Sequence, residues 1–172
     1  MVLSIIFSSF LGCGRSLKKL RQDVENYFYD GDEGDGYSIQ NDIQTLSANV
    51  NNLKVIASRY TDTVDGLEEK IERMNDARRT LTDTKDIDAK YSAVSALIDE
   101  VNSVYNALVP EDMNKTDRGF RSSLYEEIMS TVQRISHNGY NDKVLKFNAI
   151  LDKFPAKQVA KLIGIKPMPL YS

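Results

Sequence analysis

Four carboxylates crowd into six residues at Asp30, Asp32, Glu33 and Asp35. Clustered hard oxygen donors are what calcium takes as ligands. Read as an EF-hand loop starting at Asp30, the segment departs twice: Asp35 stands where the turn glycine belongs, and Asn41 where the bidentate carboxylate belongs. The acidic stretch therefore reads first as a solvated connector and only second as a metal site. His137 is the single histidine, so a two-histidine metal centre is out of reach. Next to Asn138-Gly139 it reads as a surface or capping residue rather than a general base. Cys13 is the single cysteine, which excludes an intrachain disulfide and a cysteine-rich zinc site. Phosphate-cradling glycine loops, a G-x-S-x-G elbow and a dinucleotide fingerprint are all missing from the sequence. The expectation is a non-enzyme with no catalytic residues and no cofactor, unless carboxylates from separate helices converge.

Charge narrows the partners. The chain has 172 residues, enough for one domain with a real core, and a net charge of −3. That balance argues against a nucleic-acid binder working through phosphates. The C-terminal third is locally basic: Lys143, Lys146, Lys153, Lys157, Lys161 and Lys166 outnumber Asp142 and Asp152. Such a face is either the solvated side of a helix or a surface for anionic headgroups.

Residues 2–11 form the one strongly apolar run. A membrane span needs about 20 residues, so this run is too short, but it fits the apolar core of a signal peptide. Gly12-Cys13 then reads as the end of a lipoprotein signal, with Cys13 as the lipidation candidate and the outer face as the address. Arg15, Lys18, Lys19 and Arg21 follow the run and no charge precedes it. As the tail of a truncated membrane anchor, the same segment places the body in the cytoplasm. A buried N-terminal helix is the third reading. In the first two, residues 1–14 are an addressing segment and residues 15–172 the folded domain.

Helices have to position all of this. Ser16 reads as the N-cap of a short amphipathic helix with Leu17, Leu20, Val24, Tyr27 and Phe28 on one face, stopped by Gly31, Gly34 and Gly36. From Ile39 the apolar residues step by four and three: Ile43, Leu46, Val50, Leu53, Ala57, Tyr60, then Val64, Leu67, Ile71, Met74 and Leu81, with Arg78 as charged intruder. That repeat keeps one seam facing a partner. Gly66, with Thr61 and Thr63 before it, marks a soft point, but the unbroken register predicts a single rod. The next helix carries Ile87, Tyr91, Val94, Ile98, Val101, Tyr105 and Leu108 and stops at Pro110. Another presents Phe120, Leu124, Ile128, Val132 and Ile135, pauses at Asn138-Gly139, and resumes with Tyr140, Val144, Phe147, Leu151 and Phe154. After Pro155 a short helix with Val159, Leu162 and Ile163 ends at Gly164, and the tail is extended. Tyr60, Tyr91, Tyr105 and Tyr140 fall on seam positions and read as core. The predicted fold is all-α: an up-and-down antiparallel bundle of three long helices with short N- and C-terminal helices.

Within residues 140–171 the order Tyr140-Asn141, Val144, Phe147-Asn148, Phe154-Pro155, Val159-Ala160, Leu162, Gly164, Lys166-Pro167, Pro169 and Tyr171 resembles the LemA family, a group of bacterial membrane-anchored helical proteins. Upstream, Asn52-Leu53 with Ala57 and Tyr60 resemble the family's Asn-Leu-Val helix and its following tyrosine, with Asn51 where family members usually carry proline. The resemblance covers most of the chain from about Ser38. It implies a helical bundle beside a membrane, in the cell envelope, with no established enzymatic activity. The motif residues then have structural roles: Phe154-Pro155 ends a helix, Gly164 turns the chain, and Pro167 and Pro169 stiffen a tail that could also be a docking strip. The functional expectation is a non-enzymatic envelope protein presenting its bundle to other envelope or membrane proteins and reaching the membrane through its N-terminus. A module binding anionic lipid is the alternative.

Overall fold

A computed structural model describes the backbone of residues 2–32, 37–109 and 112–171, and the side chains from Leu11 onward within those segments. These residues form helices and connecting turns with no strand. The helices are α1 (Val2–Asp30), α2 (Ile39–Ala57), α3 (Leu67–Asp83), α4 (Ile87–Ala107), α5 (Lys115–Ser136), α6 (Tyr140–Leu151) and α7 (Ala156–Ile163). Two compact units result, one from residues 1–40 with 138–171 and one from residues 41–137.

The first unit is built on α1, which is longer than expected. Ser16 does not cap it: the helix runs unbroken through 29 residues, joining the apolar run to the amphipathic segment. Neither Gly12 nor Gly14 interrupts it, because glycine weakens a helix by only about 1 kcal/mol and this one continues well past both. Leu17, Val24 and Phe28 are buried, while Leu20 remains partly exposed. The α6 helix contributes Tyr140, Val144, Phe147 and Leu151 to the same core, and α7 contributes Ala156, Val159 and Ala160.

In the second unit the seam of α2 is as expected: Ile43, Leu46, Val50, Leu53 and Ala57 are buried, as is Tyr60 just beyond the helix. The rod is not. Residues 58–66 leave the helix in a chain of short backbone bonds, among them Tyr60 N–H to Ala57 C=O at 2.9 Å and Leu67 N–H to Val64 C=O at 3.2 Å. Gly66, at φ 70°, then starts α3 from the left-handed region. Leu67, Ile71, Met74 and Leu81 are buried along α3 as the repeat predicts, and Arg78 donates to Ser47 Oγ and Asn75 Oδ1, both at 3.2 Å. Between α3 and α4, Lys70 donates to Ser103 Oγ at 3.0 Å and Arg73 meets Glu100 at 3.3 Å. Between α4 and α5, Tyr125 Oη donates to Asn102 Oδ1 at 2.8 Å. Arg134 near the end of α5 pairs with Asp42 near the start of α2 at 3.0 Å.

Two helices bury a different stripe from the one expected. On α4, Val94, Val101 and Leu108 are inside, but Leu97 and Val104 take the places expected for Ile98 and Tyr105. On α5, Phe120 is 56% exposed and Leu124 only half-buried, while Asp117 and Arg121 are buried.

Gly66 separates the rod from the break in one measurement. In a continuous helix Gly66→Ala would gain about 1 kcal/mol. At φ 70° the added Cβ is strained, so we expect a loss of about 1 kcal/mol in urea unfolding.

Candidate functional site

Within residues 140–171, Asn141, Asn148, Met168 and Tyr171 form a clasp around the tail in the first unit. Asn141 and Asn148 lie seven residues apart on α6, two turns, and so share a face. Each carboxamide both accepts from and donates to the backbone of one tail residue. Tyr171 N–H donates to Asn141 Oδ1 at 2.7 Å, and Asn141 Nδ2 donates to Tyr171 C=O at 2.9 Å. Met168 N–H donates to Asn148 Oδ1 at 2.9 Å, and Asn148 Nδ2 donates to Met168 C=O at 2.8 Å. The spacings match: seven helical residues rise about 10.5 Å, and three residues of extended chain cover about 9–10 Å. Met168 and Tyr171 are each 5% exposed. The Tyr171 ring lies 5.7 Å from Phe28, which stands edge-on to Tyr140 at 5.5 Å. Lys166, Pro167, Pro169 and Leu170 face outward. Gly164 turns the chain into this tail at φ 74°, the left-handed cap expected of it.

Farther along the unit, α7 lies against α1. A Cβ on Gly14 would sit 3.5 Å from Val159 Cγ1 and 3.6 Å from Ile163 Cδ1. The free thiol of Cys13 is half-buried one residue away. Phe154 and Leu162, expected on the inner seam, are 78% and 81% exposed, and Ile163 is 38% exposed. The physical reason for Leu162 is helical phase: α7 turns Ala156, Val159 and Ala160 inward, and Leu162 lies about 100° or more from the centre of that stripe. Pro155 sits at the N-cap position, after a cis Phe154-Pro155 bond. The outward Phe154 and Leu162 are interleaved with Lys153, Lys157 and Lys161, also exposed.

The acidic loop engages a lysine. Asp32 pairs with Lys143 Nζ at 3.0 Å, and that ammonium lies 4.1 Å from the centre of the Tyr27 ring. Asp30 is exposed, and Glu33 and Asp35 lie outside the described residues. Among the described residues no three histidine, cysteine or carboxylate side chains are grouped to hold a metal. His137 caps the end of α5: its backbone N–H donates to Gln133 C=O at 3.0 Å, and ring Nδ1 lies 2.9 Å from the same oxygen.

Sequence reading missed the buried polar groups of the second unit. Asp117, with its side chain 2% exposed, meets Arg59 Nη1 at 2.7 Å through Oδ1. Its Oδ2 accepts from Tyr60 Oη at 2.9 Å and Asn114 Nδ2 at 2.8 Å. Asn114 caps α5 by accepting the Asp117 N–H at 2.9 Å. Burial is the largest influence and pushes the Tyr60 hydroxyl above its ordinary pKa; the Asn114 backbone N–H opposes it, the hydrogen bond to Asp117 and its charge add to the rise, and the Arg59 charge opposes it last. One turn later Arg121 spreads over the Tyr105 ring at 3.6 Å and donates to the Tyr105 C=O at 2.7 Å. Tyr105 in turn stacks on Tyr125 at 3.9 Å. Lys90, 3% exposed, points its ammonium at the Leu81 C=O near the end of α3, 3.5 Å away. No apolar pattern in the sequence marks Asp117, Arg121 or Lys90 as inward, because their partners lie on other elements.

No family model, curated protein or solved structure matches the chain.

Two substitutions probe these buried groups. Tyr60→Phe removes one donor from Asp117 and one acceptor from Asn114, and should lower stability by about 1–2 kcal/mol in urea unfolding with helix content unchanged. Burial pushes the Lys90 pKa below 10.5, so the unfolded chain binds more protons between the depressed and the ordinary value. Stability therefore rises with pH through that window. Lys90→Met should be more stable than the parent by about 1 kcal/mol at pH 7, the gap narrowing as pH approaches 10.5. A destabilised Lys90→Met at neutral pH would show that the bond to Leu81 outweighs desolvation.

Proposed function

We propose that this is a non-enzymatic, membrane-associated protein of the cell envelope, which docks through the N-terminal half of α1 together with α7 and presents residues 41–137 to other envelope proteins. The observation that carries the reading is the composition of the surface on α7 and just before it: two large apolar side chains almost fully exposed, Phe154 and Leu162, set among Lys153, Lys157 and Lys161. Apolar anchors within a basic rim are what an interfacial helix offers to anionic headgroups. No helix among the described residues is long and apolar enough to cross a membrane. The apolar run of residues 2–11 extends about 15 Å as helix, roughly half of a ~30 Å hydrocarbon core, so on this reading it enters one leaflet. Lipidation of Cys13 would deliver an acyl anchor to the same place. The LemA-like residues 140–171 support a membrane address as well.

Cross-helix contacts favour an up-and-down arrangement of α2 to α5 as the presented body. Lys54 reaches Asn75 while Ser47 reaches Arg78; Lys70 reaches Ser103 while Arg73 reaches Glu100. Asn102 meets Tyr125 while Tyr105 meets Arg121, and Asp42 meets Arg134 while Tyr60 meets Asp117. In each pair of contacts one index rises as the other falls. On this reading the body has four helices rather than three, because the rod folds back at residues 58–66. Asp117, the buried carboxylate among the described residues, spends its bonds on Arg59, Tyr60 and Asn114, which favours a structural over an enzymatic role.

Co-sedimentation of the full chain with phosphatidylglycerol-containing vesicles tests the docking surface. Binding should weaken with salt, and Phe154→Ser with Leu162→Ser should reduce it about tenfold or more, given about 1.5–3 kcal/mol per large apolar side chain buried. Lys153→Glu, Lys157→Glu and Lys161→Glu together should abolish the salt-sensitive part. Binding that ignores both sets of changes would sink the assignment.

A further inference from the structure

We propose that the groove along α6 is a recognition site for an extended partner peptide carrying methionine and tyrosine three residues apart, and that the chain's own tail occupies it as an intramolecular pseudo-ligand. The inference is independent of the membrane reading, since Asn141 and Asn148 lie on α6 and the docking residues on and beside α7.

Four features carry it. First, the polar contacts address backbone: Asn141 and Asn148 each close a two-bond ring with the amide and carbonyl of one tail residue. Any extended chain offers the same groups, so the clasp reads conformation and register rather than the covalent link to α7. Second, the two carboxamides are spaced to engage every third residue of an extended strand. Polyproline geometry repeats with that period, and Pro167 and Pro169 hold the tail in it. Third, the side chains divide cleanly. Met168 and Tyr171 are buried as anchors, the latter against Phe28, while the intervening Pro169 and Leu170 face outward and carry no recognition. Extended peptides are read in the same way elsewhere, with main-chain bonds for affinity and periodically spaced side-chain anchors for specificity. Fourth, the tail leaves the helical body at Gly164, whose left-handed φ of 74° ends α7 and begins an irregular connector. The clasped residues thus continue no helix, and their release breaks none.

A segment held by two anchors and four hydrogen bonds binds modestly on its own. Tethering places it at millimolar effective concentration, which is enough to keep such a site filled. A partner with a better Met-x-x-Tyr segment, or a high local concentration of one, would displace it.

The test uses the full chain and a fluorescein-labelled peptide of sequence Ile-Lys-Pro-Met-Pro-Leu-Tyr, matching residues 165–171. In a variant with Met168→Ser and Tyr171→Ser the tail no longer competes, and fluorescence anisotropy should show saturable binding with Kd on the order of 100 µM or tighter. The intact chain should bind about tenfold more weakly, the factor set by a millimolar internal competitor. Adding Asn148→Leu to the emptied variant should abolish binding. Absence of binding to an emptied variant that keeps its helical circular dichroism overturns the proposal, and so does equal binding by the intact chain. Where the emptied variant loses its helix signal, isotope-labelled intact chain decides. Excess unlabelled peptide should move the Met168 and Tyr171 amide resonances toward unfolded positions while the α6 amides stay folded. Resonances that do not move at millimolar peptide overturn it.

Discussion

A buried carboxylate must find hydrogen-bond and charge partners, and in residues 41–137 that demand organises the structure around Asp117. Its partners come from two places far apart in sequence: Arg59 and Tyr60 from the turn that ends α2, and Asn114 from the cap of α5. An unpaired buried charge of this kind destabilises a protein by about 3–5 kcal/mol, so the turn and the cap are obliged to meet. The same bonds terminate helices. Asn114 takes one of the orphan N–H groups at the start of α5, and Asp117 places its negative charge in the first turn, where the helix dipole favours it. Arg121, a turn farther on, extends the polar strip by covering the Tyr105 ring. Thus the α5 helix is oriented by polar groups at its beginning and by Ile128 and Ile135 along the remainder.

The other unit meets a different constraint with similar economy. An extended tail cannot satisfy its own backbone, and prolines at 167 and 169 reduce the number of donors that need a partner. Among the amides that remain are those of Met168 and Tyr171, and α6 meets them with two asparagine side chains that imitate the edge of a sheet. Asparagine suits this because its carboxamide is a peptide group in miniature, with one acceptor oxygen and a donor NH₂ set in one plane. Aspartate in either position would accept the N–H but face the carbonyl with a second negative oxygen.

Apolar periodicity carried the reading of α2, α3 and α6, where Leu46, Leu53, Met74, Val144 and Phe147 are all inside. It failed at three kinds of place. Tyr60 and Leu67 stand seven residues apart and both are buried, so the heptad count survives a turn that returns to the core in register. Counting cannot distinguish such a turn from continuous helix, and only Gly66 with its neighbouring threonines signalled it. On α5, Phe120 and Leu124 outrank Asp117 and Arg121 in hydrophobicity, yet the charged pair is inside. The compensation comes from Tyr60 and Tyr105 on other elements, which no local pattern can show. At the C-terminus the resemblance pointed to Asn141, Asn148 and Tyr171 as structural residues. Their pairing required a helix rise and a strand rise to be compared, and that comparison depends on knowing that the tail runs along α6.

The readings of residues 1–14 as a lipidation signal and as a truncated anchor disagree about the side of the membrane but agree about the geometry of docking. If the chain begins at a lipidated Cys13, the acyl groups enter the bilayer beside Gly14, where α7 lies against α1. If the apolar run is retained, α1 continues through it as one helix, and the same level of the molecule is the place where apolar side chains give way to Arg15, Lys18 and Lys19. In both cases the proposed docking would place α7 next to the headgroups. The proposed docking would make favourable a feature otherwise unfavourable in water, a short helix that turns Leu162 outward and keeps two alanines within. The side chains that α7 brings to α1 at Gly14 are Val159 and Ile163, while Leu162 lies on the outer face. Close packing and an apolar outer face are therefore one solution, favourable to the extent that a membrane, rather than water, covers Phe154 and Leu162.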